Sequence, residues 1–178
     1  MTTHALRQEH AAPIPPLWLV IGFISGAISV LVFHQGAAAL LHALELTPRA
    51  PYSMNPTAPF GVPQLLSITF WGGVWGAVLA AVLARLRGAA LVFAATLFGA
   101  ILPTLVAWFV VAPLKGQPMA AGFVPAAMLI GPIVNGAWGL GTGLGLSAGS
   151  YGLRRRSRAC PVSERASPSP RAAGRPPG

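Results

Sequence analysis

An all-α fold, a polytopic membrane bundle of four helices, is predicted by three features of this 178-residue chain. First, four stretches carry no Asp, Glu, Lys or Arg: Leu17 to Leu44, Leu65 to Ala84, Gly88 to Leu114 and Gly116 to Leu153. Each reaches the roughly 20 residues that cross a hydrocarbon core about 30 Å thick at about 1.5 Å per residue. Second, 54% of the residues are hydrophobic and only 8% are charged. Lipid offers the backbone no hydrogen-bond partners, so every spanning segment has to satisfy its own N–H and C=O groups, which selects helices. Third, the basic residues are segregated. With both termini inside, Arg7, Arg85, Arg87 and Arg154, Arg155, Arg156, Arg158, Arg165, Arg171 and Arg175 fall on one side, and only Arg49 and Lys115 on the other. Lys and Arg are retained on the cytoplasmic face, so the bias predicts cytoplasmic N- and C-termini.

Residues 1–16 read as a polar, then Pro-rich cytoplasmic lead. Helix 1 is expected over 17–44. Its length exceeds the h-region of a cleavable secretory signal, and removing it would break the charge alternation. A Pro-rich outer loop over 47–63 follows, where Pro48, Pro51, Pro56, Pro59 and Pro63 forbid a helix and favour an extended, stiff backbone. Tyr52, Met54, Asn55 and Phe60 lie between the prolines, as suits either a spacer or a lid or partner contact. Helix 2 is expected over 65–84, ended by a tight turn at Arg85–Gly88. Helix 3 covers 89–111 with Pro103 inside it, where the missing N–H and the ring should bend the helix. Helix 4 covers 122–146, interrupted at Gly131-Pro132, and 151–178 reads as a disordered basic cytoplasmic tail.

The halves resemble each other. Gly26-Ala27-Ile28 recurs as Gly99-Ala100-Ile101, and Gly72-Gly73-Val74-Trp75-Gly76 recurs loosely as Asn135-Gly136-Ala137-Trp138-Gly139. The spacing from Gly26 to Gly73 is 47 and from Gly99 to Gly136 is 37, with the surplus in the Pro-rich loop. Two like-oriented helical hairpins, a parallel repeat, fit this pattern, as does chance similarity among Gly/Ala-rich helices.

Membrane helices associate where small residues let backbones approach. At about 100° per residue, Gly72, Gly73, Gly76, Ala77, Ala80 and Ala84 share one side of helix 2, expected to pack inward, with Trp71, Trp75, Val78 and Val82 toward lipid. In helix 4, Gly136, Gly139 and Gly143 line one side and Gly141, Gly145 and Gly149 roughly the other. Such a helix is either sandwiched within the bundle or offers its second face to another subunit.

The spans hold no carboxylate or Lys/Arg at their centres, which argues against proton coupling through a buried acid. The polar residues that remain are His34, Gln35, Thr69, Thr96, Thr104, Asn135 and Thr142. His34 falls near the outer boundary and Asn135 near the midplane, so a direct pair is disfavoured, and Asn135 is expected to bond a neighbouring helix. His42 and Glu45 at i, i+3 supply half a metal site without a second half. No phosphate-loop, hydrolase, zinc or paired-Cys motif occurs, which leaves an enzyme reading, a metal and a cofactor without residues. Cys160 stands alone and reads as a free thiol. The basic residues follow the last span instead of interleaving with aromatics, so anionic lipid headgroups rather than nucleic acid are their expected partner. Ala, Gly and Pro are frequent and Lys115 is the single Lys beside eleven Arg, as in GC-rich coding DNA, which points to a bacterial inner membrane.

With TPRAPYSMNP in the first outer loop and GPIVNGAWG in the last helix, residues 14 to 150 resemble small, uncharacterised four-helix bacterial inner-membrane proteins. The resemblance implies the same architecture and no activity. Two function classes remain. One is a structural or interaction protein using the glycine-rich face of helix 4 as an oligomer or partner surface. The other is a transporter or channel for a small neutral solute, with a pathway near Pro103, Pro132 and Asn135.

Overall fold

The structure, a computed structural model, describes residues 14–58 and 60–159. It is a bundle of four long helices, α1 (Pro16–Ala43), α2 (Gln64–Val82), α3 (Gly88–Leu114) and α4 (Pro125–Ala159). The Pro-rich loop adds a two-stranded hairpin, β1 (Pro56–Thr57) antiparallel to β2 (Val62–Pro63). Prolines open the helices: Pro16 lies in the first turn of α1, Pro63 caps α2 and Pro125 begins α4. Proline costs nothing there, because the first N–H groups of a helix have no intrahelical acceptor. At its far end α1 closes with Glu45 in the left-handed region (φ 58) and Leu46 N–H reaching back to the Leu41 carbonyl at 2.9 Å.

Three of the helices, α1, α2 and α3, are long and apolar enough to cross a membrane. The fourth, expected as an equivalent span, is not among them. Its eight glycines and Asn135 dilute the apolar surface, and its neighbours compensate by covering it. Nor is α4 interrupted at Gly131-Pro132: the helix runs through Pro132 and past its expected end at 146 to Ala159. Residues 151–159, expected in the disordered tail, are therefore helical, and 160–178 lie outside the described residues. Pro103 likewise sits within continuous α3, and the helix widens into a π-turn at Ala107–Val111 just beyond it. A second π-turn, Val30–His34, lies in α1, four residues out of step with it at the 73-residue offset.

The glycines fix the packing. In the first hairpin, a Cβ on Gly26 would strike the Gly72 carbonyl and the Gly76 Cα, and one on Gly76 would strike the Gly22 carbonyl. In the second, a Cβ on Gly99 would strike the Asn135 carbonyl and the Gly139 Cα, and one on Gly139 the Ala95 carbonyl. These are the same contacts displaced by 73 residues in the first helix and 63 in the second, the offsets of the sequence repeat. The two hairpins therefore share one crossing geometry and run the same way, as a parallel repeat requires.

The hairpins meet through α1 and α4, whereas α2 and α3 barely approach each other. The cause is residue size. Gly141, Gly145 and Gly149 of α4 lie against Ser29 and Phe33, Ser25, and Ile21 of α1. At the α2 positions matching Gly141 and Gly145 stand Val78 and Val82, and at the α3 position matching Ser25 stands Phe98. Leu79, Leu91 and the edge-on Trp75–Phe98 pair (centroids 6.0 Å apart) fill the wider space between α2 and α3. Trp75, expected toward lipid, is thus turned inward, while Trp71, Val78 and Val82 are exposed as expected. At the turn end, Trp18 Nε1 donates to the Ala80 carbonyl at 3.0 Å and carries the Arg87 guanidinium 5.6 Å above its ring.

Candidate functional site

Polar side chains inside the bundle concentrate in two layers. At the centre, Trp138 of α4 is 2% exposed and its indole Nε1 donates to the Gly26 carbonyl at 2.9 Å. Ser29 returns the connection, its Oγ donating to the Trp138 carbonyl at 2.6 Å. A Cβ on Gly72 would stand 3.3 Å from that indole nitrogen, so a glycine of the first hairpin also leaves room at the junction between hairpins.

The second layer lies toward the end that carries the Pro-rich loop. Asn135 Nδ2 donates to Thr104 Oγ1 of α3 at 2.9 Å, the interhelical bond expected of Asn135. Such bonds contribute about 0.6 kcal/mol in membranes. Beside it, Ala100, Ile101, Thr104, Leu105, Trp108 and Pro132 line a groove of about 230 Å³ that opens laterally between α3 and α4. Pro103 is not among the lining residues. A second lateral groove of about 170 Å³ lies between the end of α1 and the start of α4, lined by Leu41, Leu46 and Ile130 among others.

The Pro-rich loop is docked and extended. Tyr52 N–H donates to Gln35 Oε1 at 2.7 Å and Tyr52 O–H to the Leu31 carbonyl at 3.0 Å, which ties the loop to the π-turn of α1. The tie holds Tyr52 at φ 54, a left-handed conformation that a bulky residue adopts only when its surroundings enforce it. Arg49 Nη2 donates to Gln117 Oε1 at 3.4 Å and so joins the two loops at this end. Phe60, at the hairpin tip, is 87% exposed. Removing the phenol hydroxyl in Tyr52→Phe should cost about 1 kcal/mol and speed limited proteolysis within 50–62, with the helices left intact.

His34 sits in the π-turn of α1, and its buried Nδ1 has no partner. It is not hydrogen-bonded to Asn135, in line with their different depths. His42 Nδ1 lies 3.0 Å from the Thr47 carbonyl, and no group of three metal-ligating side chains occurs among the described residues. The glycine candidates are all packing positions. Gly72 and Gly76 meet α1; Gly139 and Gly143 meet Ala95 and Val92 of α3 closely; Gly136 faces Ala100 at ordinary contact distance. Gly141, Gly145 and Gly149 are covered by α1, so of the two placements open to α4 the structure takes the internal sandwich, and no glycine face is left for a partner. Sequence reasoning missed Trp108, whose signal is its 73-residue separation from Gln35, the loop anchor in the first hairpin.

Long stripes of exposed apolar side chains, such as Leu17, Val20, Ile24 and Ile28 along α1, exceed what a water-soluble surface carries. With three helices of spanning length, they define the class: a multi-pass helical membrane protein built from two like hairpins. Comparison with protein families, curated proteins and solved structures finds no match for this chain.

Proposed function

We propose that this chain is a small bacterial inner-membrane protein with both termini in the cytoplasm that acts as a structural or interaction element and not as a solute pathway. The filled centre of the bundle carries this reading. Trp138, Leu79, Leu91 and Leu146 are buried where a conduit between the faces would run, and the grooves open sideways. With the glycine faces of α4 consumed internally, the surface left for a partner is the loop end, where Met54 before the hairpin and Phe60 at its tip are exposed. The Arg residues after Leu153 are the proposed contact for anionic headgroups on the opposite face.

Reporter fusions at Pro56, Arg87, Gln117 and Arg165 are expected to read periplasm, cytosol, periplasm and cytosol. Proteoliposomes holding the protein should show no flux of small neutral solutes above empty vesicles, and Asn135→Leu should leave this unchanged. The Thr104–Asn135 pair beside its groove is the observation that favours the transport reading. Flux that Asn135→Leu abolishes would establish that reading and end the first.

A further inference from the structure

Positive side chains are scarce at the loop end of the bundle, and the fold brings the two that occur there together. Of the 12 Lys and Arg residues only Arg49 and Lys115 belong to the loops at this end, against the bias that gathers such residues on the cytoplasmic face. Arg49 comes from the first hairpin and Lys115 from the second. Arg49 Nη2 donates to Gln117 Oε1 at 3.4 Å, and Gln117 lies two residues from Lys115 in a turn closed by its own N–H to the Ala112 carbonyl at 2.8 Å. Chain geometry keeps the Cα atoms of Lys115 and Gln117 within about 7 Å. The partner of the guanidinium is a neutral amide and not a carboxylate. Glu45 is the single acid between residues 10 and 163, so this end keeps a net positive charge.

The groove of about 170 Å³ between the end of α1 and the start of α4 begins beside this pair. Leu46, which lines it, precedes Arg49 by three residues, a reach of at most about 11 Å along the chain. The backbone there folds back over the end of α1: Arg49 N–H donates to Thr47 Oγ1 at 3.3 Å, and the carbonyl of the buried Thr47 lies 3.0 Å from His42 Nδ1. Arg49 is thereby kept close to the groove. Leu41 is buried, whereas Leu46, Leu129 and Ile133 are exposed, so the groove has a closed floor and a mouth that faces lipid. Every side chain that lines it is apolar. Ala126, in the first turn of α4, lines the end where the connection carrying Lys115 and Gln117 enters the helix.

We propose that this corner is a binding site for an anionic phospholipid of the leaflet at the loop end, with a stretch of one acyl chain in the groove and the phosphate held by Arg49 and Lys115. An acyl chain asks for no hydrogen bond, as the lining requires. The guanidinium can offer a phosphate two parallel N–H donors, and the Lys115 ammonium adds a point charge. Gln117 is the positioning residue, because its amide oxygen holds the guanidinium at the junction of the two loops. The site is separate from the Arg residues after Leu153, which follow the other end of α4.

The test uses the full-length protein in nanodiscs doped with a phosphatidylglycerol that carries a diazirine on one acyl chain, and a phosphatidylcholine with the same chain as the zwitterionic control. In the wild type the phosphatidylglycerol probe should label residues 41–46 and 126–133 about fivefold more than the control, the preference that one net positive charge at a membrane surface gives. This comparison needs no variant to fold. Arg49→Gln combined with Lys115→Gln should bring the labelling of these residues down to that of the control with the far-UV circular dichroism unchanged, whereas Arg49→Lys should keep most of the preference. Equal labelling by the two probes, a preference that survives the double variant, or label spread evenly over the exposed helix faces would each leave only annular lipid and overturn the proposal. A dimer cross-linked through Leu129 and Ile133 would put a second copy of the chain in the groove and overturn it as well.

Discussion

Gly26→Leu should lower the stability of the bundle by about 3 kcal/mol, and Gly99→Leu by a similar amount. Neither site has a side chain that can yield. The atoms in the way of a Cβ at Gly26 are the Gly72 carbonyl oxygen and the Gly76 Cα, and at Gly99 they are the Asn135 carbonyl oxygen and the Gly139 Cα. Backbone cannot rotate aside as a rotamer can, so the helices have to separate. Separation forfeits the close contact that stands in for the hydrophobic effect between helices in lipid. Gly136→Ala is the internal control. Its new methyl would meet Ala100 Cβ at 3.5 Å, an ordinary contact, and its effect should stay within about 0.5 kcal/mol. Equilibrium unfolding in mixed micelles of rising SDS fraction, followed by far-UV circular dichroism, measures all three. A Gly136→Ala penalty equal to that of Gly26→Leu would contradict the crossing geometry.

These glycines also mark how far the fold can be read from the residues. The helices and the repeat were legible because lipid leaves backbone polar groups one solution and because small residues at matching spacings have one main use. The Gly26–Gly99 and Gly76–Gly139 correspondences in the chain reappear as matched backbone contacts. Other features were settled by partners that sequence periodicity does not encode. Trp75 sits on the bulky side of α2, yet the space between α2 and α3 is wide enough for the indole to turn inward and meet Phe98 edge-on. The glycines of α4 made two faces evident, but a subunit and α1 are equally good at covering a small-residue face. Only the seating of Ser25, Ser29 and Phe33 on it decided between them. Pro132 read as a break because proline removes a hydrogen bond; a helix buried between neighbours tolerates that loss. The groove went unread because Trp108 is an ordinary aromatic in the chain and acquires meaning only beside Thr104 and Pro132.

Trp138→Ala should cost about 3–5 kcal/mol, and Trp75→Ala about half as much, although the two tryptophans occupy the same position of the repeat. Trp138 faces the closed side of the bundle, where it is 2% exposed and donates to the Gly26 carbonyl, and where Ser29 holds its own carbonyl. Its removal empties the junction between hairpins and deprives the Gly26 carbonyl of the indole donor. Trp75 faces the wide side, only partly buried, and touches Phe98 edge-on. Neighbours there have room to relax, so the cavity term is smaller. Trp138→Phe separates the contributions, since it keeps a ring in place and deletes the donor, and it should cost about 1 kcal/mol. Ser29→Ala combined with Trp138→Phe should cost less than the sum of the two singles, because both act on the same α1–α4 junction. The same unfolding titration applies. Equal penalties for Trp138→Ala and Trp75→Ala would mean that the closed and the wide side of the bundle are packed alike.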